Sequence, residues 1–250
     1  MDLKLAGRTA LVTGGANGVG REIALTLAAE GAAVAVNYRT SGAEAEKVVA
    51  EIKKAGGKAI AIGADVADLE AVKTMVGRTV EECGGLDILV NNAGLALRRP
   101  FLETTPDEWK RQIDACLYGA IHCSHAAGPH LVKSGRGRII SIVGDSSRVG
   151  ESGLSIVGAA RAGTIVLMKS IARELGRSGV TANTLSLGLV ETDHDKTWVD
   201  ANREKLVKFY PTRRLGQSTD IAPMVALLAS DHGAWITGQA ISISGGFSMV

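Results

Sequence analysis

The chain has little cysteine, little proline and few aromatic residues, and charge of one sign nowhere accumulates. Its three cysteines, Cys83, Cys116 and Cys123, fall into no CxxC or metal-ligand spacing, which argues against a zinc-binding or disulfide-framed module. A sparse, odd set of this kind is expected of a reduced, cytoplasmic chain. Basic and acidic residues number 28 and 26, a net charge of +2, and the densest basic spots are the pairs Arg98-Arg99 and Arg213-Arg214. Neither a nucleic-acid groove nor a membrane-surface helix is expected from that distribution. No segment reads as the ~18-residue apolar run of a membrane span. Met1 to Leu11 lacks the apolar stretch of a signal peptide and does not read as a transit peptide. Only three tyrosines are present, Tyr38, Tyr118 and Tyr210, and none falls between Gly137 and Gly179.

What the chain does have is 46% hydrophobic residues against 22% charged, the balance of a folded globular protein. Short apolar runs alternate with amphipathic segments from one end to the other. Arg8–Val12, Ala33–Asn37, Ala59–Ile62, Leu86–Val90, Arg138–Val143, Val180–Leu185 and Gln239–Ile243 read as strands, apolar on both faces as buried parallel strands are. Gly42–Ala55, Leu69–Cys83 and Pro106–Val132 read as helices, the last opened by the capping box Thr105-Pro106-Asp107-Glu108. This β-α-β alternation, without linker or repeat, implies an α/β fold: one doubly wound, Rossmann-type domain over residues 1–250, with a seven-stranded parallel sheet flanked by helices.

The first strand runs into Thr13-Gly14-Gly15-Ala16-Asn17-Gly18-Val19-Gly20 and then a helix. Glycines there allow a tight turn and bring backbone N–H groups to a diphosphate at the positive helix terminus. By itself such a turn reads equally as an ordinary loop; its place between strand and helix favours a nucleotide. Further segments follow in order. Asp65-Val66 comes after the third strand, where the carboxylate could accept from an adenine amino group. Asn91-Asn92-Ala93-Gly94 follows the fourth, Gly188-Leu189-Val190-Glu191-Thr192 the sixth, and Thr237-Gly238-Gln239 opens the seventh. With these motifs the chain resembles the classical short-chain dehydrogenase/reductase family from Leu5 through Ser244-Gly245-Gly246. The resemblance implies a dinucleotide site at Gly14, Asn17, Gly18, Val19, Gly20, Asp65, Val66, Asn92, Ala93, Gly94, Gly188, Val190 and Thr192. It also points to Tyr38 and Arg39, at the end of the second strand, as the place where the cofactor is selected. Arg39 could pair with a 2′-phosphate, favouring NADP(H), or be a solvated arginine with NAD(H) accepted.

In that family four side chains, Asn, Ser, Tyr and Lys, carry the chemistry. The family's spacing puts Cys116 at the Asn position, seven residues after Trp109. Gly144 stands at the Ser position, Val157 thirteen residues later at the Tyr position, and Arg161 at the Lys position. Ser141, Ser146, Ser147 or Ser155 could restore a serine by a loop shift, but no tyrosine is within reach. Valine has no proton to give, and arginine stays charged. Loss of a general acid–base costs ~10²–10⁴ in rate.

The resemblance, with these positions degenerate, implies a non-catalytic pseudoenzyme subunit. It would assemble with an active short-chain dehydrogenase paralogue as a heterotetramer, with NAD or NADP as cofactor and a binding site that could be vestigial. In this it resembles the inactive partner subunit of an alpha-hydroxybenzyl-succinyl-CoA dehydrogenase serving anaerobic toluene breakdown. The alternatives are an active NAD(P)-dependent oxidoreductase using unconventional residues and a stand-alone nucleotide-binding sensor. His122, His125, Cys116 and Cys123 share one helix without an i, i+4 ligand pair completed by a third ligand, so packing is expected there and no metal. The polar segment Glu191–Arg214, with Trp198, Phe209 and Tyr210, reads as a rim whose aromatics either line the pocket or close the core. Gly144–Ser155 reads as a mobile rim beside that pocket.

Overall fold

The computed structural model describes residues 3–192 and 196–250. Seven strands form one sheet: β1 (Thr9–Val12), β2 (Ala33–Tyr38), β3 (Ala59–Gly63), β4 (Ile88–Asn91), β5 (Arg138–Gly144), β6 (Thr181–Leu187) and β7 (Ala240–Ile243). Their order is β3-β2-β1-β4-β5-β6-β7, and every pairing is parallel. In β4, Ile88, Leu89 and Val90 are all fully buried. Each such side chain contributes about 1.5–3 kcal/mol, which is why the run is apolar on both faces rather than alternating.

The crossovers are helical: α1 (Gly18–Ala29), α2 (Gly42–Lys54), α3 (Leu69–Cys83), α4 (Pro106–Ile113), α5 (Gly119–Ser134), α6 (Ser146–Val149), α7 (Ser155–Leu175), α8 (Lys196–Leu206) and α9 (Ser218–Ala229). Local chemistry sets their ends. Asp68 caps α3 by accepting from the Glu70 and Ala71 amides, Gly84 ends it in the left-handed region at φ 90°, and Thr105 with Glu108 forms the expected capping box of α4. One core layer packs α1, α2 and α9 on one face of the sheet, and a second packs α3, α5 and α7 on the other.

Two expectations are corrected. The helix expected over Pro106–Val132 is broken at Asp114–Tyr118 by a π-helical turn, an interruption without a periodicity signature. The Cys116 carbonyl in that turn accepts from Thr164 Oγ1 of α7 at 3.1 Å. The segment Ser155–Ser178 is, by length and composition, apolar enough to cross a membrane. Here its buried residues Val157, Ala160, Ile165, Met168 and Ala172 serve the protein interior instead.

The strand order reverses between β1 and β4, so the crossovers leave from opposite sides there and open a crevice beyond the carboxyl ends of the strands. The amino edge is closed differently. Buried Arg8 donates to the Ala229 carbonyl at 3.0 Å and to Asp231 at 2.5 Å, and Arg138 donates to the Ser230 carbonyl at 3.2 Å. Both cations thus meet the C-terminal end of α9, where the helix dipole favours them.

Candidate active site

At the crevice the turn after β1 is held by side chains of its neighbours. Asn92 Nδ2 donates to the Thr13 and Gly14 carbonyls at 3.0 and 3.1 Å, and Thr13 Oγ1 accepts from the Asn92 and Ala93 amides at 3.0 Å. Asn37, at the end of β2, accepts from the Gly14 amide at 3.2 Å and donates to the Ile62 and Ala64 carbonyls. Asn37 was not among the residues expected at the site. Its signal is a polar side chain closing an otherwise apolar, buried strand. Gly14 sits at φ 62°, and a Cβ on Gly20 would lie 2.2 Å from the Gly14 carbonyl oxygen. The turn therefore folds tightly onto the start of α1.

These walls enclose a cleft of about 430 Å³. It brings together Gly14, Asn17, Gly18, Val19, Gly20, Tyr38, Arg39, Asp65, Val66, Asn92, Ala93, Gly94 and Thr192, and adds Arg161. Gly188 and Val190 line an adjacent 190 Å³ cavity with Tyr210 and Thr212. A larger cleft, about 1130 Å³, lies at the amino edge among Gly31, Gly56, Gly84 and Arg136. That edge receives helix C-termini, whose partial negative charge disfavours phosphate; the smaller cleft receives N-termini.

The cleft passes the test of fitting a dinucleotide. Asn17, at the N-cap of the 12-residue α1, makes no side-chain bond to the helix, so the first N–H groups of α1 remain available to an anion. Ser41, at the N-cap of α2, is likewise uncommitted, and Arg39 stands beside it with its nearest carboxylate, Asp65, 3.8 Å away. Asp65 also accepts from the Ala67 amide.

The four chemistry positions lie together. Cys116 and Val157 are buried in a small apolar cluster with Ala160, flanked by Ile113, Leu117 and Leu154. Cys116 Sγ accepts from the Leu95 amide and donates to the Leu95 carbonyl, both at 3.4 Å. Gly144 ends β5, with Ser146 Oγ 3.4 Å from where its Cβ would be. Arg161 fills the space between the strands: Nη1 lies 3.3 Å from the Cβ point of Gly144, and Nη2 lies 3.1 Å from that of Gly94. Among the described residues, none accepts a hydrogen bond from this guanidinium or pairs with it.

The rim aromatics divide. Tyr210 closes the core: it is buried, its hydroxyl accepts from the Leu189 amide at 2.9 Å, and burial pushes its phenol above the ordinary range. Trp198 and Phe209 stay exposed, with Arg98 lying 6.0 Å over the Trp198 ring. On the helix with the histidines, the His122 ring nitrogen bonds the Val66 carbonyl at 3.0 Å. Burial pushes the Cys123 thiol up to about 12.

A family model described as enoyl-(acyl carrier protein) reductase matches residues 14–248. The chain belongs to the classical short-chain dehydrogenase/reductase family. The chain is 43% identical, over 97% of its length and 98% of the relative's, to a 3-oxoacyl-(acyl-carrier-protein) reductase of Staphylococcus aureus. It is 38% identical to a 3-oxoacyl-(acyl-carrier-protein) reductase of Synechocystis, over 98% of both chains. Among solved structures, a short-chain dehydrogenase of Burkholderia cenocepacia in complex with NADP superposes with a TM-score of 0.90 at 38% identity, over 98% and 99% of the two chains. A dehydrogenase/reductase of Sinorhizobium meliloti superposes with a TM-score of 0.92 at 39% identity, over 99% and 98%.

These relatives correct the expectation of a non-catalytic subunit. Proteins 36–43% identical over nearly the whole chain carry the names of reductases, and the alternative of an NAD(P)-dependent oxidoreductase takes its place. The toluene-pathway resemblance gains nothing from them.

Proposed function

We propose that this short-chain dehydrogenase/reductase is an active NAD(P)-dependent oxidoreductase that reduces a carbonyl of the 3-oxoacyl class, with Arg161 in place of the usual phenol-centred machinery. The single observation that carries this reading is the guanidinium of Arg161, which lies between Gly94 and Gly144 in the cofactor cleft and has no partner among the described residues. The substrate class comes from the names of the relatives.

The turn Thr13–Gly20 and the uncapped start of α1 would hold the diphosphate, and Arg39 with the start of α2 would hold a 2′-phosphate. When bound there, a dihydronicotinamide would supply the hydride. Arg161 offers up to five N–H donors to the oxygen on which negative charge develops, and a preformed donor of this kind typically contributes ~10²–10³ in rate. Arginine stays protonated, so it stabilises the oxyanion without giving up a proton; the proton comes from water. Val157, Ala160 and Cys116 form a dry wall beside the guanidinium, and low polarity there strengthens its field. The free thiols at Cys83, Cys116 and Cys123 support a reducing, cytoplasmic setting.

The test is NADPH oxidation by the purified chain with a 3-oxoacyl thioester, alongside the Arg161→Ala variant. Turnover by the wild type that falls at least ~100-fold in the variant is expected. A chain that binds NADPH yet turns over nothing above the uncatalysed background would sink the reading.

A further inference from the structure

Asp145, directly after Gly144, is almost wholly buried, and its carboxylate accepts three hydroxyl protons. Oδ1 accepts from Ser186 Oγ at 2.5 Å and from Ser242 Oγ at 3.2 Å, and Oδ2 accepts from Ser248 Oγ at 2.6 Å. Among the described residues no cation pairs with it directly. Countercharge reaches it through a hydroxyl instead. Arg148 Nη1 donates to Ser242 Oγ at 2.7 Å and to the Ala240 carbonyl at 3.2 Å, and Nη2 donates to the Val250 carbonyl.

The three serines come from β6, from β7 and from the segment 244–250 that follows β7. From Ser248 the contacts continue outward. The Phe247 ring lies 5.4 Å from that of Tyr210, and the Gly245 carbonyl accepts from the Thr212 amide at 3.3 Å. Tyr210 to Thr212 is the root of the rim that carries α8. Trp198 of that helix lies under Arg98, which in turn bonds Glu151 and the Ser152 carbonyl. One carboxylate beside the reaction position is thus connected through a tail to the far side of the rim.

A buried charge is a poor route to stability, since an apolar side chain of similar size commonly does as well or better. Three charge-assisted bonds, two of them short at 2.5 and 2.6 Å, do, however, select one arrangement of the groups they join. We infer that Asp145 is a positioning residue: through Ser248 it holds the tail 244–250, and through the tail it holds the Tyr210–Thr212 root, so that the rim keeps its place beside the cleft. The effect on turnover rests on the oxidoreductase reading; the tether itself does not.

Hydrogen exchange on the full chain tests it, with Ser248→Ala removing one hydroxyl and Asp145→Asn removing the charge at nearly constant shape. In both variants, amide exchange is expected to quicken about tenfold or more in 244–250 and in 196–212, while 138–143 and 181–187 keep their protection. With a 3-oxoacyl thioester, KM rises several-fold in Ser248→Ala at near-constant kcat. Loosening confined to 244–250, or no loosening, overturns the inference. If Asp145→Asn fails to fold, Ser248→Ala decides alone. A wild-type chain without turnover refutes the oxidoreductase reading and leaves the exchange result to judge the tether.

Discussion

Arg161 Nη1 lies 3.3 Å from the point a Cβ would occupy on Gly144, so the guanidinium and a serine at position 144 compete for the same space. Glycine at 144 leaves the cation room against the end of β5. None of the described residues accepts from Arg161, so Arg161→Ala breaks no hydrogen bond among them. Its unfolding free energy is expected to stay within about 0.5 kcal/mol of wild type, while kcat/KM falls ~10²–10³. Urea unfolding and steady-state kinetics on the same preparation separate the two. A variant that loses stability as much as activity would mean that Arg161 is a packing residue.

Arg39 and the uncapped α2 lead to a cofactor preference. The guanidinium is more than half exposed, and its contact with Asp65 is long at 3.8 Å, so it is available to a 2′-phosphate at little cost. Arg39→Ala is expected to weaken NADPH binding roughly 10- to 100-fold, the worth of one charge-assisted contact, and to leave NADH nearly unchanged. Fluorescence titration with the two cofactors reads this directly. Equal losses for both would place Arg39 outside the phosphate site.

Much of this was legible in the sequence because it depends on local chemistry. The glycine turn, the capping box of α4 and the two-faced apolar strands each announce themselves by residue type and spacing. Positions 116, 144, 157 and 161 were found differently, through the spacing of the family the chain resembles, and the structure brings them together. What a degenerate set of side chains does was not legible, since it depends on where Arg161 points and on what surrounds it. The π-helical turn at Asp114–Tyr118 leaves no periodic trace. Asn37 carries no local signal of its bonding role, because its partners, the Gly14 amide and two carbonyls near β3, come from distant parts of the chain. The serines around Asp145 are likewise scattered over positions 186, 242 and 248, and only the pairing of β5, β6 and β7 with the return of the following segment unites them.

Acid should expose the pair at the start of α9. Arg214 binds Asp220 through two nitrogens at 2.6 and 2.7 Å, the Gln217 amide adds a third bond, and together they hold the Asp220 carboxyl down at about 2. A carboxyl depressed below its unfolded value stabilises the fold above that value, near 4, and loses the contribution as pH falls toward 2. Thermal midpoints of wild type and Asp220→Asn should therefore differ at pH 7 and converge between pH 4 and 2. Solvent around Arg214 keeps the difference small. A gap that persists unchanged at pH 2 would assign the effect to the helix cap rather than to charge.

Rebuilding the familiar chemistry gives the most demanding check on the role of Arg161. Val157 is 1% exposed and packs with Cys116 and Ala160, so Val157→Tyr alone should overpack the cluster and cost about 1–3 kcal/mol. Gly144→Ser is milder, because its new Cβ meets Arg161 Nη1 and Ser146 Oγ at 3.3 and 3.4 Å, and both are side-chain ends able to shift. Arg161→Lys replaces the fork by a thinner chain and relieves the crowding at 144. The combination Cys116→Asn, Gly144→Ser, Val157→Tyr, Arg161→Lys restores an ionisable phenol beside an ammonium. If water is now the proton source, supplying a general acid should raise kcat by ~10²-fold or more, despite lower thermal stability. The same gain should be absent from Val157→Tyr alone, where Arg161 still occupies the serine's place. A quadruple variant that folds, binds NADPH and turns over no faster than wild type would show that proton delivery does not limit this chain.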